Sequence, residues 1–176
     1  MNNAEDAPST EESAEGARYR FRNVGAGRGE VLGPAGELLW RYGPPPNWLN
    51  VFNGPLRGPD LVLFSAGGNE RLSIHRERTF PQARFELIGV DGSTLGLIER
   101  MSILSTYYTA KFETGNSWIF RLPAFTTDFE GRSDGGAFAR IHLESEPVWD
   151  VLVDEGNDSP ELIASLAFIH SERCRW

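Results

Sequence analysis

One segment near the C-terminus limits what this chain can become. Leu162-Ile163-Ala164-Ser165-Leu166-Ala167-Phe168-Ile169 contains a single polar residue, Ser165. Asp158 or Ser159 as N-cap, Pro160 in the first turn and Glu161 three residues after Asp158 mark the start of a helix over about 159–171. A helix that is apolar on every side must be buried on every side, in a bilayer or at the centre of a protein. Spanning a bilayer takes about 20 residues, more than this run provides. The segment therefore predicts a helix enclosed by the rest of its own chain.

What encloses it reads as β-structure. Tyr19 and Phe21 alternate with Arg18, Arg20 and Arg22, and Leu38, Trp40 and Tyr42 share one face beyond the turn Gly33-Pro34-Ala35-Gly36. Strands resume at Asp60–Phe64 and Arg71–Arg76, and Val90-Asp91-Gly92-Ser93 is a strong hairpin signal between Phe85, Leu87 and Leu95, Leu97. Tyr108, Ala110 and Phe112, then Trp118, Phe120 and Leu122, then Ala137, Ala139, Ile141 and Leu143, and finally Trp149, Val151 and Val153 repeat the period of two. The small alanines suit close approach of a central helix. The pattern predicts a mainly β fold of about eleven or twelve antiparallel strands. A sheet closed on itself around the helix removes its edges and fills its interior at once.

Composition narrows the function classes. Net charge is −8 in 176 residues, and Lys111 is the only lysine. Such a chain is a poor nucleic-acid binder, because that binding depends on neutralising phosphates. Residues 1–17 hold Glu5, Asp6, Glu11, Glu12 and Glu15 with no basic residue, so they read as a disordered acidic tail ahead of a single domain over 18–176. Cys174 is the only cysteine, which excludes an intramolecular disulfide. No signal peptide or membrane span is read from the sequence, and a cytoplasmic location, with peripheral membrane contact as an option, is the expectation.

The phrase Phe85-Glu86-Leu87-Ile88-Gly89-Val90-Asp91-Gly92-Ser93-Thr94-Leu95-Gly96-Leu97-Ile98-Glu99-Arg100, and the ending Trp149-Asp150-Val151-Leu152-Val153 into an apolar helix, resemble the tubby-like superfamily. Within it the chain is most similar to the phospholipid scramblase and LURP-one-related branch. The resemblance implies a twelve-stranded barrel threaded by the C-terminal helix. It also brings anionic phospholipid into view as a ligand.

Candidate sites follow from residue types. Arg18, Arg20 and Arg22 at period two share an outer strand face, and Arg76 and Arg78 repeat the spacing; guanidinium forks suit phosphate, so these five are the candidates for an anion or lipid head group. Trp48, Leu49 and Phe52, set among prolines in the Gly/Pro-rich stretch from Gly43 to Pro59, form an apolar loop suited to contact with a protein partner. Ile88, Ile119 and Phe138 add apolar residues to outer strand faces. The acidic loops at 128–136 and 154–158 offer carboxylates but not EF-hand spacing, so no metal site is assigned. Gly25-Ala26-Gly27-Arg28-Gly29 lacks a following helix and reads as a hairpin. His75, His142 and His170 are scattered, and no nucleophile elbow or metalloprotease motif is present. The expectation is a non-enzymatic binding or adaptor module without a cofactor, acting through a protein partner. Anionic phospholipid binding or scramblase-like lipid handling is the alternative.

Overall fold

The structure is a computed structural model that describes residues 16–45, 59–77, 82–100, 107–122, 127–145 and 148–174. Strands β1 (Gly16–Gly25), β2 (Arg28–Leu32), β3 (Leu38–Gly43), β4 (Leu61–Ser65), β5 (Glu70–Glu77) and β6 (Ala83–Gly89) are followed by β7 (Thr94–Arg100), β8 (Tyr107–Phe112), β9 (Ser117–Arg121), β10 (Asp128–Ser133), β11 (Phe138–Ser145) and β12 (Val148–Asp154). Each pairs antiparallel with its neighbours in sequence, and β1 pairs with β12, closing a twelve-stranded barrel. Helix α1 (Pro160–Arg173) is enclosed by it.

The apolar run explains the closure. Every side chain from Leu162 to Ser171 is buried, and the inward residues of strands all round the barrel join α1 in one core. Phe168 packs on Phe85 with ring centroids 4.4 Å apart. The one polar residue inside the run, Ser165, is satisfied locally, its hydroxyl donating to the Glu161 carbonyl at 2.8 Å. Small inward positions such as Ala110 and Ala139, both fully buried, leave room for the helix.

The helix start differs in one detail from the capping box read in the sequence. Ser159 is the N-cap and accepts from the Leu162 amide at 3.2 Å, with Pro160 at the first helical position. Asp158 instead accepts the Tyr19 hydroxyl, tying the connection before α1 to β1. In the last turn of the helix, His170 lies fully buried among Phe21, Tyr42 and Trp149. Its Nδ1 is hydrogen-bonded to the Tyr42 hydroxyl, so it serves the interior as well as the helix dipole. The Gly25–Gly29 hairpin is held in place too. Ser171 Oγ donates to the Gly27 carbonyl at 3.1 Å, while Gly25, Ala26 and Gly27 all take positive φ. Gly29 lies flat against Tyr42; a Cβ there would come within 2.2 Å of its ring.

Two tests follow. Leu166, fully buried in α1, should cost about 2–5 kcal/mol when cut to alanine, and Leu166→Asp should prevent cooperative melting. A normal melting curve for Leu166→Asp would contradict an enclosed helix. The second concerns pH. Burial, and secondarily the Cys174 thiolate, push the Tyr42 hydroxyl well above the ordinary tyrosine range, so the fold favours its protonated form. That contribution is complete below about pH 10 and is lost as pH rises further. Tyr42→Phe, which removes the hydroxyl bonded to His170 Nδ1, should lose about 1–3 kcal/mol at neutral pH, yet decline less steeply than the parent above about pH 10. Denaturant melts at paired pH values, with ultraviolet titration of tyrosinate, read both effects.

Candidate functional site: a groove over the barrel seam

With α1 filling the barrel, the strand side chains free to meet a ligand, among the described residues, are those on its outer face. The period of two puts Arg18, Arg20 and Arg22 outward on β1, as the sequence implies. Their surroundings then set them apart. Arg20 forks onto Asp150 of β12, with Nε–Oδ1 at 2.8 Å and Nη2–Oδ2 at 3.2 Å, and also reaches Glu144 at 3.5 Å. Its hydrogen bond to Asp150 raises its affinity for its proton further. Arg22 is paired with Glu30 of β2, which Arg41 approaches at 3.6 Å. The Arg22 bond holds the Glu30 carboxyl below the usual carboxylate range.

Among the described residues Arg18 has no such partner. Across the seam it faces Leu152 of β12, and Leu152 in turn faces Arg140 of β11. The neighbouring cross-strand rows alternate in chemistry: Arg20, Asp150, His142 and Asp128 form one, while Arg140, Glu130 and Arg121 continue the other. In the row of Arg18 the position expected for a carboxylate is the leucine. Arg18 and Arg140, two strand spacings or about 10 Å apart, therefore flank an aliphatic side chain and make no ion pair within 4 Å among the described residues. Arg140 leans over the Phe138 ring, with its guanidinium 5.6 Å from the centroid.

These residues line a groove of about 490 Å³ whose other wall is the β2–β3 turn, with Leu32 and Pro34 adding aliphatic surface. Past Arg140 lies a second outer hollow of about 790 Å³, holding Ile119, Arg121 and Arg132. Ile119 is 40% exposed, as the sequence suggests for an outward position. Charge there is more nearly balanced, since Arg132 bonds Glu130 at 3.1 Å.

The remaining sequence candidates fall elsewhere. Arg76 shares the inward side of β5 with Leu72 and Ile74, its backbone amide donating to Asp60 at 2.9 Å and its guanidinium 5.1 Å from the Phe85 ring centroid. Strands β2, β3 and β4 separate it from β1, so it does not converge with Arg18, Arg20 and Arg22. Arg78 lies outside the described residues, as do Trp48, Leu49 and Phe52 and most of the acidic tail. Four carboxylates of the two acidic loops are already engaged. Asp128 is hydrogen-bonded to His142 at 2.7 Å, which holds its carboxyl below the usual range; Asp134 accepts from Ser117, Asp154 from the Phe138 amide, and Asp158 from Tyr19.

Sequence reasoning missed Arg140 and Leu152. Their outward orientation is implied by the inward set Ala139, Ile141 and Val151, Val153, but their adjacency to Arg18 depends on the seam register.

No family model matches the chain, and no curated protein matches it in sequence. Among solved structures, a protein from Arabidopsis thaliana superposes with a TM-score of 0.61 over 93% of each chain at 13% identity. That likeness is one of fold alone. Among the described residues no helix is long and apolar enough to cross a membrane.

Proposed function

We propose that this chain is a tubby-like barrel of the scramblase and LURP-one-related kind, acting as a binding module whose seam groove takes an acidic segment of a partner protein. One observation carries the reading: Leu152 stands between Arg18 and Arg140 where an alternating charge lattice would place a carboxylate, so Arg18 faces none across the seam, and Arg140, which faces Glu130 on its other side, makes no ion pair within 4 Å among the described residues. Two guanidinium groups set about 10 Å apart over an aliphatic floor suit a short segment bearing carboxylates on either side of an apolar side chain. Interface cores favour arginine and apolar residues in this way. A bilayer is the weaker candidate, because Arg20 and Arg22 are already committed to Asp150 and Glu30. An acidic surface is repelled by an anionic leaflet unless its free cations cluster.

The test adds the missing carboxylate. Leu152→Glu should let Arg18 and Arg140 pair internally, leaving melting temperature unchanged while lowering affinity for a labelled Glu/Leu-containing peptide at least tenfold. Arg18→Glu with Arg140→Glu should do the same, and Arg41→Gln should not. Retained peptide binding in both groove variants would remove the proposal. Salt-sensitive flotation with phosphatidylserine vesicles, lost in those same variants while the peptide fails to bind, would replace the partner protein by lipid.

A further inference from the structure

A separate hollow of about 320 Å³ lies on the outer face where β2, β3 and β4 run side by side next to the β1–β2 hairpin. It shares no lining residue with the seam groove. Two local features create it. The β1–β2 register slips between Asn23 and Gly25, so Val24 has no partner in that ladder and stands 56% exposed. On β3, Tyr42 points inward and Gly43 gives the outer face no side chain. The stem of Arg28 lies over that gap: a Cβ at Gly43 would come within 2.8 Å of Arg28 Cγ. The next outer row along the strands is Glu30, Arg41 and Phe64. Rows on one face are about 7 Å apart, twice an optimal carbon contact of about 3.5 Å. A group one atom thick fits between them.

The polar groups around the hollow favour an anion. Arg28 faces Gly25 on β1, lies against Gly43 on β3, and makes no ion pair within 4 Å among the described residues. Glu30, the carboxylate among the lining residues, is already bonded to Arg22 and approached by Arg41 at 3.6 Å. Apolar surface comes from Val24, Pro44 and Phe64. The volume stands near the lower end of the roughly 300–1,000 Å³ of small-molecule sites, which suits a small molecule better than a peptide segment. We propose that this hollow binds a small planar carboxylate, its ring between the Arg28 and Phe64 rows and its carboxylate on the Arg28 fork. Arginine suits both parts, since a guanidinium pairs with a carboxylate through two bonds and packs flat on an aromatic ring. The floor is also tied to the interior. The Tyr42 hydroxyl bonds His170, and the Gly27 carbonyl just before Arg28 accepts from Ser171. A ligand seated here spans β2, β3 and β4 beside those bonds, so its binding stabilises the closed barrel.

The experiment titrates three probes of similar size into the full chain: benzoate, benzyl alcohol, which has the ring without the charge, and hexanoate, which has the charge without the ring. Benzoate should bind with a dissociation constant of about 1 mM, shift the backbone amides of Val24, Arg28 and Gly43, and raise the melting temperature. Benzyl alcohol and hexanoate should each bind about tenfold more weakly. Arg28→Gln should leave the melting temperature of the unliganded chain unchanged, weaken benzoate about tenfold and leave benzyl alcohol as it was. Arg18→Gln, in the seam groove, should alter none of the three. Benzoate binding that survives Arg28→Gln at full strength would overturn the proposal, as would amide shifts centred on other residues. Hexanoate binding as tightly as benzoate would overturn the planar ligand. No benzoate binding at several millimolar would remove the site altogether.

Discussion

A helix without a polar face makes one demand on the rest of the chain, that apolar surface meet it from every direction. A sheet with two free edges cannot do this, so β1 must find β12 although almost the whole sequence lies between them. Contacts at both ends of α1 reinforce that pairing. Tyr19 of β1 donates to Asp158 just before the helix, and near its other end Ser171 holds the β1–β2 hairpin while His170 bonds Tyr42. These bonds run between the first third of the sequence and its last few residues. The seam is thus fixed from inside, and what lies on its outer surface inherits a defined register.

That inheritance explains why the fold could be read from sequence more fully than the site. Alternation within each strand, the Asp91-Gly92 turn and the apolar run are local signals, and they suffice to give strand number, inward faces and helix limits close to Pro160–Arg173. The site is a matter of neighbours. In the sequence Arg18, Arg20 and Arg22 form a uniform row, yet Asp150 answers Arg20, Glu30 answers Arg22, and a leucine stands beside Arg18. No periodicity within β1 contains this difference. It requires knowing that β12 lies beside β1, and in which register, with Arg140 one strand further on. The exchange at the helix start has the same origin, since Asp158 is a good cap locally but Tyr19 reaches it across the closed barrel.

Closure also determines how such a molecule can recognise anything. Every strand has a hydrogen-bonded neighbour on both sides, so no edge is open for a ligand to extend the sheet through its backbone. Recognition falls to outward side chains, and here these are arranged largely as compensated pairs. Pairs of this kind at an exposed surface are screened by solvent and add little to stability. Their stronger consequence is exclusion. Glu144 and Asp150 beside Arg20, and Glu130 between Arg132 and Arg140, set negative charge close to Arg18 and Arg140. A surface dense in negative charge, such as a bilayer of anionic lipids, meets those carboxylates as well as the arginines. In the proposed reading, a narrow segment with a few carboxylates and an apolar side chain lies along Arg18, Leu152 and Arg140 and meets fewer of those carboxylates than a broad surface does. In that reading, a preference for one thin acidic strand over a broad anionic surface rests on a single leucine set into an alternating lattice, and it holds only while the seam keeps Arg18 and Arg140 on either side of it.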